Sequence, residues 1–303
     1  MNNHRPQNAD AIRLTGLVKR FPGFELGPLD LTLEPGTVLA LVGPNGAGKT
    51  TTLNCIAGLM RPDEGVAEVY GMPVDPTRPA YRREVGYVGE ESGFFRRWTV
   101  RQNLSVLARV VPGWSPDRAR RLAERIALPV DQPVGKLSRG NRTKLALVAA
   151  LAHGPRLLLL DEPTSGLDPV VRAEVLDLLW EITEDGEHAV FYSTHVLSDI
   201  SRLADELVFL RDGGVVLRSG RDELSDRWRR VSFRLDDEVW ELVGVVEHRR
   251  VRSEHQVITW DAEATLQRLG ELGAEAIETA RMSVDEIAVQ ILKEGHHVVR
   301  PQD

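Results

Sequence analysis

Eight consecutive residues carry the clearest chemistry in the sequence. Gly43-Pro44-Asn45-Gly46-Ala47-Gly48-Lys49-Thr50 has the spacing G-x-x-x-x-G-K-[ST]. Glycines let a backbone curl until its N–H groups point at one anion, with no Cβ in the way. A helix starting near Gly48 adds the positive end of its dipole. Such a loop holds a polyphosphate. Lys49 would reach the terminal phosphates, and Thr50, followed by Thr51, would offer its hydroxyl to Mg2+.

A second element lies at Leu157-Leu158-Leu159-Leu160-Asp161-Glu162-Pro163. An apolar strand that ends in two acids puts carboxylates at the edge where parallel sheets bind ligands. Asp161 is the candidate Mg2+ ligand. Glu162 stands where it can face a water attacking the terminal phosphate.

These residues need a scaffold, and the hydrophobic pattern supplies one. Short apolar runs at 38–42, 86–88, 157–160, 189–192 and 207–210 predict buried strands, with helices at 49–59, 170–182 and 196–203. That alternation gives an α/β fold around a mostly parallel sheet. Residues 93–153 read as a helical subdomain, broken at Pro112-Gly113 and between Pro129 and Gly135. Residues 14–37 read as an antiparallel β layer, and residues 1–10 as a polar tail.

The charged run from Asp222 to Arg230 predicts a joint, with one domain over 11–225 and a small α+β domain over 226–303. In the second domain, strands are expected at 231–235 and 257–260. A helix over 262–272 carries Leu266, Leu269 and Leu272 on one side and stops at Gly273. Ser283-Val284-Asp285-Glu286 has the form of a capping box ahead of Ile287 and Ile291. On this reading the first domain folds and binds nucleotide without the second.

Composition narrows the class. The chain has 303 residues, 42% hydrophobic and 27% charged, enough for a substantial core. Its single cysteine, Cys55, excludes an internal disulfide and a thiolate zinc site, and fits core packing. The net charge of −7 gives no overall basic field for nucleic acid or anionic lipid. No apolar run approaches the ~18 residues of a membrane span, and the first residues lack the apolar core of a signal peptide. Work at a membrane would therefore go through a partner.

With both phosphate-site elements in place, residues 11–221 resemble the ATP-binding subunits of ABC transporters. Leu137-Ser138-Arg139-Gly140-Asn141 stands where that family has its LSGGQ signature, keeping Ser138 and Gly140 and departing at Arg139 and Asn141. Ser165-Gly166-Leu167-Asp168 resembles the family's D-loop. His195, after Ser193-Thr194, resembles its switch histidine, and Phe21 sits where an aromatic ring stacks on adenine. Glu90, closing Val85-Gly86-Tyr87-Val88-Gly89-Glu90, occupies the glutamine position of the Q-loop.

The resemblance implies an ABC-type P-loop NTPase fold: a RecA-like core, an antiparallel β layer and a helical subdomain. It implies ATP and Mg2+, and a homodimer closed head to tail across ATP. Residues 43–51 and Phe21 would hold one nucleotide, Ser138 and Gly140 of the signature would serve the nucleotide of the other chain, and Asp168 of the D-loop would also belong to the nucleotide site. Glu162 would be the base, His195 would hold the γ-phosphate, Lys49 would offset charge, and Glu90 would meet Mg2+ or the attacking water. Ser138 also reads as a helix N-cap, which is compatible with that role.

Glu90, the LSRGN signature and the C-terminal appendix together resemble a bacterial export branch. Its members serve separately encoded permeases that move drugs, lipids, glycans or ions. Gly93-Phe94-Phe95-Arg96-Arg97-Trp98 lies where the family receives a cytoplasmic helix of the permease. The implied location is the cytoplasmic face of the membrane, without insertion and without nucleic acid. The alternative is a soluble ATPase of the same family acting on nucleic acid or ribosomes. Such proteins usually carry two cassettes or a long coiled-coil insertion, and this chain carries neither.

Overall fold

The computed structural model describes residues 9–89, 93–184, 186–196, 199, 203–235, 242–251 and 254–293. The chain opens with hairpin β1 (Ile12–Phe21) and β2 (Phe24–Leu33), followed by β3 (Val38–Val42) and α1 (Lys49–Ile56). Strands β4 (Glu64–Val69) and β5 (Met72–Pro73) then return to the hairpin, giving an antiparallel layer in the order β2-β1-β4-β5. The layer extends beyond the expected 14–37. β4 was not legible because only Ala67 and Val69 of its six residues are buried.

Next come β6 (Val85–Val88), α2 (Val100–Val110), α3 (Pro116–Arg125) and α4 (Arg139–Leu151). The three helices start at the N-caps Thr99, Ser115 and Ser138, and the breaks between them fall at the two predicted places. They are followed by β7 (Leu157–Asp161), α5 (Pro169–Thr183), β8 (Ala189–Thr194), β9 (Glu206–Arg211) and β10 (Gly214–Gly220). Helix α1 ends three residues short of the expectation. Most of the helix expected over 196–203 lies outside the described residues, as do residues 1–8 of the expected tail.

The central sheet has the order β10-β9-β3-β8-β7-β6, parallel throughout except for β10. Its central strands β3, β7 and β8 are buried at every position, which is why they read as apolar runs. One face, with Leu39, Leu41, Leu159 and Phe191, packs on the antiparallel layer and α1. On the other face, Leu158, Leu160, Val190 and Tyr192 meet the helical subdomain and α5.

The C-terminal region contains the expected strands and helices, and differs from expectation at the joint. The run expected to be a joint folds as α6 (Arg221–Arg227), with Leu224 buried and Trp228 buried just beyond it. A second antiparallel sheet follows in the order β12-β13-β11-β14, from β11 (Arg229–Arg234), β12 (Val245–Val251), β13 (Glu254–Thr259) and β14 (Glu275–Arg281). Helix α7 (Ala262–Glu271) lies between β13 and β14, and α8 (Val284–Leu292) ends the described chain behind the predicted Ser283 capping box.

This piece shares a core with the ATP-binding part. Ile287, Ala288 and Ile291 of α8, with Trp228 and Ile258, pack on Ala40 and Val42 of β3 and Leu207 and Phe209 of β9. The C-terminal region therefore covers the half of the sheet face that the helical subdomain leaves open. The boundary expected near 225 therefore runs through a shared core rather than between two separate ones.

Candidate active site

Registry brings the chemistry together. β3 pairs with β8 through Val42↔Thr194, and β7 pairs with β8 through Asp161↔Ser193. The carboxyl ends of three neighbouring parallel strands thus open at one level, where the glycine loop, the two acids and His195 emerge. They line a cleft of about 720 Å³ together with Phe21, Phe24 and Ser165.

The loop after β3 has little room for side chains. A Cβ at Gly43 would stand 2.3 Å from the Leu210 carbonyl oxygen. Gly48 caps α1 at φ +109°, and a Cβ there would meet Leu26 at 2.6 Å. Pro44, Asn45 and Gly46 are exposed at the loop's crest, while Ala47 is buried beneath them. Lys49 folds back, its Nζ donating to the carbonyl oxygens of Gly43 at 2.9 Å and Pro44 at 3.1 Å. These bonds aim a buried ammonium into the cleft. Thr50 is exposed to the cleft and Thr51 half-buried on it.

Asp161 and Glu162 are set by a residue with no role in the sequence reading. Ser193 Oγ donates to Asp161 Oδ1 at 2.6 Å and accepts from the Glu162 N–H at 3.2 Å. Glu162 takes a left-handed conformation, φ +48°, which costs about 1–3 kcal/mol and persists only where the surroundings enforce it. Its Oε1 lies 3.2 Å from Lys49 Nζ and its Oε2 2.6 Å from His195 Nδ1. One carboxylate thereby joins the phosphate loop to the end of β8.

Phe21 is partly exposed at the end of β1, its ring 6.3 Å from that of Phe24. Phe24 is a second aromatic wall that the sequence reading missed. Its signal was its place directly across the hairpin, in register with Phe21.

Other expected site residues stand elsewhere in this chain. Ser138 caps α4, its Oγ accepting from the Asn141 N–H at 3.2 Å, and Gly140 abuts Val171 of α5. Asp168 caps α5, accepting from the N–H groups of Val170 and Val171 at 3.1 Å each. None of the three lines the cleft. Glu90 lies outside the described residues.

The sequence matches the ABC transporter family over residues 26–165. It is 31% identical over 241 residues to the bacitracin transport ATP-binding protein BcrA of Bacillus licheniformis, covering 78% of this chain and 79% of that one. It is 40% identical over 203 residues to the molybdenum import ATP-binding protein ModC of Aromatoleum aromaticum, covering 64% of this chain and 53% of that one. Among solved structures, an ATP-binding subunit of an ABC transporter superposes with a TM-score of 0.64 at 27% identity, covering 71% of this chain and 92% of that one. With the phosphate loop, the acid pair and the histidine gathered at one sheet edge, this chain is a member of the ABC transporter family, an ATP-binding subunit whose hydrolysis of ATP is coupled to transport.

Proposed function

We propose that this chain powers an exporter, with Glu162 as the general base and His195 and Lys49 as its partners at the terminal phosphate. The observation that carries this reading is the two-sided contact of Glu162, to Lys49 at 3.2 Å and to His195 at 2.6 Å. A carboxylate so held is positioned to accept a proton from water while a cation and an imidazole face the phosphate. Thr50 and Asp161 offer oxygen donors on the same cleft. That is the chemistry Mg2+ prefers, usually with few protein ligands beside phosphate oxygens. Phe21, with Phe24 beside it, would offer an aromatic face to the adenine ring.

Ser138, Gly140 and Asp168 lie off this cleft, which supports a homodimer in which they meet the nucleotide of a second copy. A groove of about 1100 Å³, lined in part by Phe94, Leu107, Val110 and Ala149, supports docking of a helix from a separate permease. Only Gly93 and Phe94 of the aromatic-basic stretch line it, while Phe95 and Trp98 lie outside it with their rings 4.6 Å apart and tilted by 33°. No described helix is long and apolar enough to cross a membrane. Placement on the cytoplasmic face through that permease follows from this reading. Export, as against the import named for ModC, rests on Glu90, the LSRGN signature and the antibiotic named for BcrA.

The test is Glu162→Gln. Turnover should fall roughly 10²- to 10⁴-fold while ATP still binds, and the variant should run as a dimer with MgATP in size-exclusion chromatography. Wild-type turnover in that variant would remove Glu162 as the base.

A further inference from the structure

A second polar cluster is buried outside the cleft, among the elements that carry its catalytic pair. Asp199 is 1% exposed and lies four residues after His195. Its Oδ2 accepts from the Thr164 hydroxyl, and the Tyr192 hydroxyl reaches it at 3.3 Å. The Thr164 and Tyr192 hydroxyls are themselves 2.9 Å apart. Asp199 Oδ1 accepts from Arg172 Nε at 2.6 Å. A carboxylate taken out of water is costly unless it is both paired and hydrogen-bonded, so these contacts leave Asp199 one position.

The partners come from different elements. Thr164 is two residues beyond Glu162, in the loop that leaves β7. Tyr192 is on β8, three residues before His195, and Arg172 is in the first turn of α5. Glu162 is fixed on its strand side by Ser193, and the nearest side-chain anchor on its far side is Thr164. His195 is fixed on its strand side by β8. Beyond it, the Val196 N–H donates to Thr194 Oγ1 at 2.7 Å and the Asp199 N–H to the Val196 carbonyl at 3.3 Å. Both loops therefore end on one carboxylate.

We infer that Asp199 is a positioning residue for ATP hydrolysis: it ties the loop bearing Glu162 to the segment bearing His195 and so sets the distance between them. The inference rests on the roles proposed above for Glu162 and His195. A misplacement of about 1 Å at a reacting group can cost on the order of 10²-fold in rate, so an anchor shared by both groups controls turnover without touching nucleotide. The same cluster is where the C-terminal region comes within electrostatic reach of the chemistry. Asp285, in the first turn of α8, interacts with both Arg172 and Asp199.

The experiment compares full-length Thr164→Val, Thr164→Ser and Asp199→Asn by steady-state ATPase assay, fluorescent-nucleotide binding and thermal melting. Thr164→Val keeps the shape and removes the hydroxyl. It and Asp199→Asn should lower kcat roughly tenfold or more, with KM and nucleotide affinity within about twofold, and Thr164→Ser should restore most of the loss. If Asp199→Asn does not fold, Thr164→Val, which leaves the Arg172 pair intact, decides. Glu162→Gln run in parallel separates two failures. Wild-type turnover there removes Glu162 as base and this inference with it. Loss of turnover there, with wild-type kcat in Thr164→Val and Asp199→Asn and only their melting changed, overturns the inference alone.

Discussion

Lys49 and Glu162 face one another across the cleft, Nζ 3.2 Å from Oε1, and both side chains are largely withdrawn from solvent. The ammonium is also held by two carbonyl oxygens of its own loop. On the proposed reading, phosphate oxygens entering the cleft would meet a cation whose direction is already set, beside a carboxylate that would repel them. On that balance, loss of the lysine should weaken nucleotide binding, and loss of the glutamate's charge should not.

Lys49→Ala should weaken ATP binding, since a charge-assisted hydrogen bond is worth about 1.5–3 kcal/mol, or roughly ten- to a hundredfold in Kd. Glu162→Gln should leave Kd unchanged or lower it. Fluorescence titration with a nucleotide analogue measures both. An unchanged Kd in Lys49→Ala would take the lysine out of the phosphate site.

Gly48→Ala should damage the loop by two routes. At φ +109° an L side chain is strained, and its Cβ would press on Leu26 at 2.6 Å and Phe24 at 3.2 Å. The expected result is a loss of about 1–3 kcal/mol in urea unfolding, with nucleotide affinity lost alongside. A variant that binds ATP like the wild type would show that the loop has more room than its contacts allow.

Removing the chain beyond Arg227 should give an insoluble or unfolding-prone product, because Leu207 and Phe209 would lose Ile287, Ile291 and Trp228. The Arg211 guanidinium would also lose the Lys293 carbonyl oxygen that it reaches at 2.7 Å. A gentler test is Ile287→Ala, expected to cost about 2–5 kcal/mol in a single urea transition. Two separate transitions, with the first domain's midpoint unmoved, would contradict the shared core.

Stability should fall on mild acidification. Burial holds the His153 imidazole below the ordinary histidine value, and burial, then His255 and Arg250, do the same to His248. Both bind a proton less readily in the folded chain than in the unfolded chain, whose histidines protonate near pH 6.5, so the unfolded state takes up more protons as pH falls through that region. The urea midpoint should be lower at pH 6.0 than at pH 7.5, and His153→Gln should narrow the gap. His153 Nε2 lies 3.1 Å from the Val85 carbonyl oxygen, a contact that glutamine can replace. A midpoint that rises on acidification would reverse the sign argued here.

What the sequence made legible was local. The glycine loop, the apolar strand ending in Asp161-Glu162 and the N-caps Ser138 and Ser283 each declare themselves within a few residues. Ser193, Phe24, Thr164 and Asp199 act through partners tens of residues away or across a hairpin, and their types alone are unremarkable for a strand end, a hairpin or a loop. The C-terminal packing was hidden differently. α6 carries its charges outward, so Leu224 and Trp228 are diluted among Asp222, Glu223, Asp226 and Arg227, and a buried seam reads as a linker. β14 is exposed at every position and offers no alternation to read.

The division of the central sheet's second face has a consequence for synthesis. Its β3–β9 half is completed by α8, which follows β9 by about eighty residues, so at 5–20 residues per second that surface lacks part of its cover for roughly 4–16 s of translation. Leu207 and Phe209 are then without Ile287 and Ile291 on a nascent chain whose other half-face is already closed by its own helices. The interval before α8 emerges is when aggregation and chaperone capture should compete with folding of this half-face.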